Sequence, residues 1–290
     1  MGVGGTIAGD CGGQDVLNGG QTRRLRTVRM QTDLFSLAGR TALITGGSRG
    51  IGRMIAEGFI AHGAKVYISA RKAGPCDQTA AELSAGGGEC VSVPIDVSTV
   101  EGATRLAEEI GRREPKLDIL VNNAGAAWLA EFDAFPETGW DKVMTLNLKA
   151  PFFLTQALHG ALKAAASPER PAKVIHIASI DGIRPNPQET YSYQASKAGL
   201  IHLTRRMAAR LIADNIVVSA IAPGAFASDM NITARDQGEE VARRIPSRRI
   251  GTAEDMAGAA IFLASRAGDY VVGSTLTVDG GVAFANADGV

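Results

Sequence analysis

From Gly39 onward the chain alternates between short continuous apolar runs and longer stretches whose apolar residues recur three and four apart. The first kind predicts buried strands and the second predicts helices. Thr41-Ala42-Leu43-Ile44-Thr45 is the first such run. Further strands are expected at 65–70, 89–95, 117–121, 173–178, 216–221 and 275–278. Helices are expected from Ile51 to His62, closed by Gly63, and from a Ser98/Glu101 capping box to about Arg113. A long one is expected over about 138–166, with Val143, Leu146, Phe153, Leu154 and Leu158 on its buried face. Another carries Tyr193 and Lys197, and one more opens at a Thr252/Asp255 cap. Strands alternating with helices predict an α/β fold with a parallel sheet covered on both faces. No linker divides the pattern, so one domain is read over about 36–290.

Residues 1–35 do not share this pattern. Met1-Gly2-Val3-Gly4-Gly5 and Asn18-Gly19-Gly20 are glycine-rich, and Arg23, Arg24, Arg26 and Arg29 form a basic cluster. The apolar content is too broken for a secretory signal, and Asp10 and Asp15 argue against an organelle presequence. A disordered extension is expected, with Met30 as an alternative beginning.

Composition narrows the function classes. Thirty basic residues balance thirty acidic ones in the 290-residue chain, so bulk charge points to neither nucleic acid nor an anionic membrane. No apolar run approaches the roughly 20 residues that a membrane helix requires. Cys11, Cys76 and Cys90 lack metal-ligand spacing and the even count of a disulfide framework, so free thiols in a reducing cytoplasm are expected. His62, His159, His176 and His202 show no metal spacing either, and no metal site is expected.

The first strand runs into Thr45-Gly46-Gly47-Ser48-Arg49-Gly50-Ile51-Gly52, followed by a helix. Glycines are needed there if the backbone is to turn tightly and approach a pyrophosphate, with the helix N-terminus supplying free N–H groups. An ordinary tight turn is the bland alternative, and the place between first strand and first helix favours the nucleotide. An NAD site would put an acid about 20 residues further on. Here the second strand ends Ser69-Ala70-Arg71-Lys72, with no carboxylate before Asp77. Arg71 and Arg49 could instead flank a ribose phosphate, so NADP(H) is expected over NAD(H).

Tyr193 and Lys197 are four apart and share a helical face. An ammonium beside a phenol favours the phenolate and would bring the tyrosine toward neutral pH. Taken alone, the pair is equally a buried tyrosine and a solvated lysine on an amphipathic helix. Tyr191, six residues from Lys197, lies off that face.

With the glycine loop, Asn122-Asn123-Ala124-Gly125 after strand four, Ser179 after strand five, and Tyr193 with Lys197, the chain resembles the short-chain dehydrogenase/reductase family over about 36–285. Within it, Ala127-Trp128, Gly139-Trp140 and Pro223-Gly224-Ala225-Phe226-Ala227-Ser228 look most like the 3-oxoacyl-(acyl-carrier-protein) reductases of the rhamnolipid-synthesis type. The resemblance implies a Rossmann-type doubly wound sheet of about seven parallel strands and a homotetramer or homodimer. It implies that Tyr193 is the acid at the carbonyl oxygen, that Lys197 lowers its pKa and binds the nicotinamide ribose, and that Ser179 steadies the substrate oxygen. By the same resemblance Asn147 holds a relay water, Asp96 and Val97 lie near adenine, Asn123 lies beneath the adenosine end, and Pro223 and Gly224 lie against the nicotinamide.

Several positions depart from the family pattern. Ser179 lies 14 residues before Tyr193, one more than usual. Ser228 stands for a threonine, Phe226 replaces an aliphatic residue and is expected to alter the pocket floor, and Arg210 stands where an acid is usual. The stretch 226–249 is expected to form a substrate lid with Met230, Ile232, Val241 and Ile245, and with Arg243, Arg244, Arg248 and Arg249. The aliphatic residues suit an acyl chain and the arginines a carrier- or CoA-bound substrate, or else the segment is an amphipathic helix with a solvated basic face. Three functions remain open: reduction of a 3-oxoacyl thioester, oxidation of a polyol, sugar acid or steroid-like alcohol, and a non-catalytic NADP sensor. Retention of both Tyr193 and Lys197 counts against the last.

Overall fold

The computed structural model describes residues 33–285. The expected extension at 1–35 therefore lies, save for its last three residues, outside the described residues, as does Cys11. Seven strands form one parallel sheet: β1 (Thr41–Thr45), β2 (Lys65–Ser69), β3 (Glu89–Ser92), β4 (Ile119–Asn122), β5 (Ala172–Ile177), β6 (Ile216–Pro223) and β7 (Thr275–Val278). Their order is β3-β2-β1-β4-β5-β6-β7, so the winding reverses between β1 and β4. In open α/β sheets such a switch point opens the ligand crevice beyond the C-terminal strand ends.

Alternation along each strand sends neighbours to opposite faces. Ile44 and Ile68 join Ile55, Phe59, Met256 and Ile261 in the core on one face. Leu43 joins Leu106, Ile110, Leu154, Leu158 and Val218 on the other. That two-sided burial is why the strands read as continuous apolar runs.

The helices are α1 (Gly50–Ala61), α2 (Ala73–Ala85), α3 (Val100–Arg113), α4 (Glu137–Met144), α5 (Ala150–Ala157), α6 (His159–Ala165), α7 (Tyr191–Leu211), α8 (Ile232–Asp236), α9 (Gly238–Arg243) and α10 (Ala253–Ala264). The Thr252/Asp255 capping box is present at α10. Two expectations are corrected here. The cap of α3 is Thr99, whose side chain accepts from the Gly102 amide, rather than Ser98. Asp96 Oδ1 takes the Ser98 amide instead, at 2.9 Å. The single helix expected over 138–166 is divided into α4, a π turn at Thr145–Lys149, α5 and α6. A π turn inserts one residue into the helical ladder and commonly marks a functional position. Helix α2 has no counterpart in the sequence reading, because Gly74 and Pro75 in its first turn mask a weak apolar stripe. Parallel pairing of β2 with β3 requires a crossover there.

Candidate active site

The residues assigned chemistry follow the C-terminal ends of β1 through β6. The glycine loop leaves β1 with Gly46 at φ 67 and Gly50 at φ 54, a region open to glycine at little cost. Helix α1 begins without a side-chain cap and without an acid in its first turn. Its leading N–H groups and positive dipole end are thus left for an anion. Thr45 Oγ1 accepts from the Asn123 and Ala124 amides, both at 3.0 Å. Asn123 Nδ2 donates to Thr45 O at 2.8 Å and Gly46 O at 3.2 Å. Asn123 is therefore the clamp that shapes the loop, its amide being spent on backbone carbonyls rather than turned to a ligand. A glycine cradle, uncapped amides and no acid at the end of β2 fit a pyrophosphate cofactor carrying a ribose phosphate.

The two arginines expected near that phosphate differ. Arg71 is exposed and makes no ion pair among the described residues. Arg49 Nη1 donates to Asp229 Oδ2 at 2.8 Å. Val97 is buried in the apolar core. On the other side of the crevice Gly224 closes on β7, its amide donating to Val278 O at 2.9 Å. A Cβ there would lie 2.7 Å from Asp279 Cβ, so only glycine fits after Pro223. Phe226 is corrected: its ring is 2 % exposed and packs in the core against Gly251 rather than forming the pocket floor. Ser228 Oγ accepts from the Asn231 amide at 3.1 Å.

Ser179, Tyr193, Lys197 and Asn147 come together at the end of β5. Lys197 is buried and its Nζ donates to Ile177 O at 2.7 Å. The same Nζ stands 5.6 Å from the centre of the Tyr193 ring. The Ser179 hydroxyl lies against the Tyr193 phenol and offsets part of the rise that burial gives its pKa. The extra residue between Ser179 and Tyr193 is absorbed by the loop before α7, which Gln194 ties down by donating from Nε2 to Gln188 O at 3.0 Å. Tyr191 is exposed, donates to Glu189 Oε1 at 3.0 Å and meets Phe132 and Phe135 edge-on, facing away from this cluster.

The π turn serves Asn147. Its Oδ1 accepts from the Ala126 amide at 2.8 Å, and its Nδ2 donates to Ala126 O at 2.9 Å and Ser196 Oγ at 3.0 Å. Ser196 Oγ donates in turn to Tyr193 O at 2.7 Å. The Asn147 amide thus ties the β4 loop to the first turn of α7, leaving no side-chain donor of Asn147 for the water assigned to it by resemblance. Ser196 carries no spacing signal of its own in the sequence, where it is one more serine between Tyr193 and Lys197.

Electrostatics overturns one expectation. Burial pushes the Tyr193 phenol up to about 12, with the Asp181 charge adding to the rise. Burial brings the Lys197 ammonium down to about 8, partly offset by Asp181. Desolvation thus outweighs the effect expected of the lysine on the tyrosine, because Lys197 is buried and Tyr193, still half-buried at the surface, has protein packed around most of its ring. His176 is buried beneath them, with Nδ1 2.9 Å from Thr204 Oγ1. Thr204 gives its own proton to Leu200 O at 2.8 Å, so His176 donates from Nδ1. Burial and the nearby Lys197 hold His176 neutral, with a pKa of about 3.

Asp181 is the acidic neighbour of this cluster. Its amide donates to Ser179 Oγ at 3.1 Å, and burial raises its carboxyl. The turn carrying it is fixed, because a Cβ on Gly182 would lie 2.5 Å from the Lys197 carbonyl carbon. A pH dependence follows. As pH rises through about 8, Lys197 loses its proton while Tyr193 keeps its own, so reductive kcat/KM should fall on the alkaline side. Asp181→Asn removes the charge that favours the ammonium, and the fall should move to lower pH. A pH–rate profile of the two proteins checks this; coincident alkaline limbs would show that the carboxylate does not act on Lys197.

Among the described residues, Cys76 and Cys90 are free and buried, and no group of three or more His, Cys, Asp or Glu residues could hold a metal ion. No described helix is long and apolar enough to cross a membrane.

A family model described as enoyl-(acyl carrier protein) reductase matches residues 46–283. The rhamnolipids biosynthesis 3-oxoacyl-[acyl-carrier-protein] reductase of Pseudomonas aeruginosa is 47% identical over 250 residues, covering 85% of this chain and 97% of that protein. Gluconate 5-dehydrogenase of Gluconobacter oxydans is 34% identical over 253 residues, covering 86% and 97%. Among solved structures, the Pseudomonas aeruginosa RhlG/NADP active-site complex superimposes with a TM-score of 0.84 at 45% identity, covering 88% of this chain and 100% of the other.

Proposed function

The chain belongs to the short-chain dehydrogenase/reductase family, and from that premise we propose that it reduces the keto group of a 3-oxoacyl thioester to the alcohol with NADPH. The observation that carries this reading is the convergence of Tyr193, Ser179 and Lys197 at the end of β5, across the crevice from a glycine loop without an acidic partner at β2. When bound, the cofactor supplies the hydride to the carbonyl carbon. Negative charge then grows on the carbonyl oxygen, and donors aimed at that oxygen stabilise the transition state. Tyr193 gives that oxygen its proton, and Ser179 holds the oxygen in place. Lys197 keeps a positive charge behind the phenol, which lowers the cost of the phenolate left after transfer. Ser196 and Asn147 hold the turn that carries Tyr193.

The likeness to a gluconate 5-dehydrogenase supports a second reading, a sugar-acid or polyol dehydrogenase of the same mechanism. The exposed Met230 and Ile232 of the lid favour the acyl substrate. A homotetramer or homodimer in the cytoplasm, possessing free thiols and balanced charge, belongs to the same reading. The test is NADPH oxidation with acetoacetyl-CoA, a carrier-bound 3-oxoacyl substrate and a set of keto sugar acids, repeated with NADH. Thioester turnover with a clear preference for NADPH is expected. Activity on the sugar acids alone would replace the first substrate with the second, and equal use of NADH would overturn the cofactor assignment.

A further inference from the structure

Asp229 stands where the glycine loop meets the lid, and it holds one arginine from each. Its Oδ2 accepts from Arg49 Nη1 at 2.8 Å, and its Oδ1 accepts from Arg235 Nη1 on α8 at 2.9 Å. The two segments touch at this point, since a Cβ on Gly50 would lie 3.3 Å from Ser228 Cβ. Beside the contact is a cavity of about 280 Å³ bounded by Arg49, Arg53, Met54, Ser228 and Asp229. Arg53 is already paired with Glu82 at 2.7 Å. Of the arginines near this end of the crevice, Arg49 therefore meets an incoming phosphate only in the presence of a carboxylate already seated on it.

We propose that Asp229 is a specificity-determining residue for the cofactor: it competes with the 2′-phosphate for Arg49 and thereby links phosphate capture to the position of α8. The proposal rests on the NADPH reading above. A carboxylate within hydrogen-bond distance of the guanidinium occupies part of its donor fork and repels a second anion. Once a phosphate takes Arg49, Asp229 is left to Arg235, and the lid loses its ionic tie to the glycine loop. A cofactor without the phosphate leaves that tie intact. Arg49 and Asp229 are both well exposed, at 73% and 50% for their side chains, so the competition is modest in size.

The experiment measures dissociation constants of NADPH and NADH for the full chain, for Asp229→Asn, for Arg49→Gln and for the double variant. Asp229→Asn keeps the shape and removes the charge. It should tighten NADPH by about two- to fivefold, the range of an exposed ion pair, and leave NADH unchanged. In the Arg49→Gln background the same substitution should leave the NADPH/NADH ratio where it was. An unchanged ratio in Asp229→Asn, or an equal change in both backgrounds, overturns the role of Asp229. A wild-type chain that binds both cofactors alike overturns the NADPH reading, and the proposal with it.

Discussion

Tyr193→Phe is expected to lower reductive turnover by about a hundred- to ten-thousandfold, the usual contribution of a positioned general acid. The substitution removes one oxygen and leaves the ring, so the contact with Lys197 and the packing of α7 survive. NADPH affinity should change little, because the loop that cradles the cofactor lies across the crevice on β1 and α1. Rapid-quench turnover beside a direct binding titration separates the two effects. Tyr191 cannot substitute, since its phenol is committed to Glu189 on the outside of the helix. Turnover retained in Tyr193→Phe would mean that the proton comes from another group, with Asp181 the first to examine because burial raises its carboxyl.

Gly52→Ala is expected to weaken NADPH binding by at least about tenfold and to destabilise the chain by about 1–3 kcal/mol, the range for an overpacked site. The new methyl would stand 2.4 Å from Gly46 O and 2.5 Å from Asn123 Nδ2. Neither can yield cheaply: one is the backbone of the cradle, and the other is the clamp that joins it to β4. Gly111→Ala is the matched control. Nothing lies within 4 Å of its added carbon on the exposed side of α3, and it should stabilise by about 0.5–1 kcal/mol through helix propensity. Urea unfolding of both variants with NADPH titration decides whether Gly52 acts through close packing. Binding and stability unchanged in Gly52→Ala would show that the loop relaxes without loss.

Much of this protein is legible along the chain because the relevant signals are local. Strand β7 is recovered as Thr275–Val278, and β1 as Thr41–Thr45, since apolar runs bounded by polar residues and glycine need no tertiary information. The glycine loop and the Tyr193/Lys197 spacing are likewise properties of consecutive residues. The stretch 138–166 reads as one helix because its apolar spacing is continuous; the π turn that breaks it is held from outside, by Asn147 bonding to Ala126 and Ser196. Helix α2 is not legible in the sequence because its apolar stripe is weak and its need arises from parallel pairing of β2 and β3, which is a long-range fact.

Sequence alone determined the order of the strands, the cradle at the end of β1, and which tyrosine shares a face with a lysine. Only the folded chain decided how those groups titrate and what they touch. Desolvation depends on everything packed around a side chain, so Tyr193 rises and Lys197 falls despite their spacing. Partners such as Asp229 for Arg49, or Ser196 for Asn147, lie far apart in sequence and meet only in the folded chain, the first where the glycine loop meets the lid and the second where the π turn meets α7.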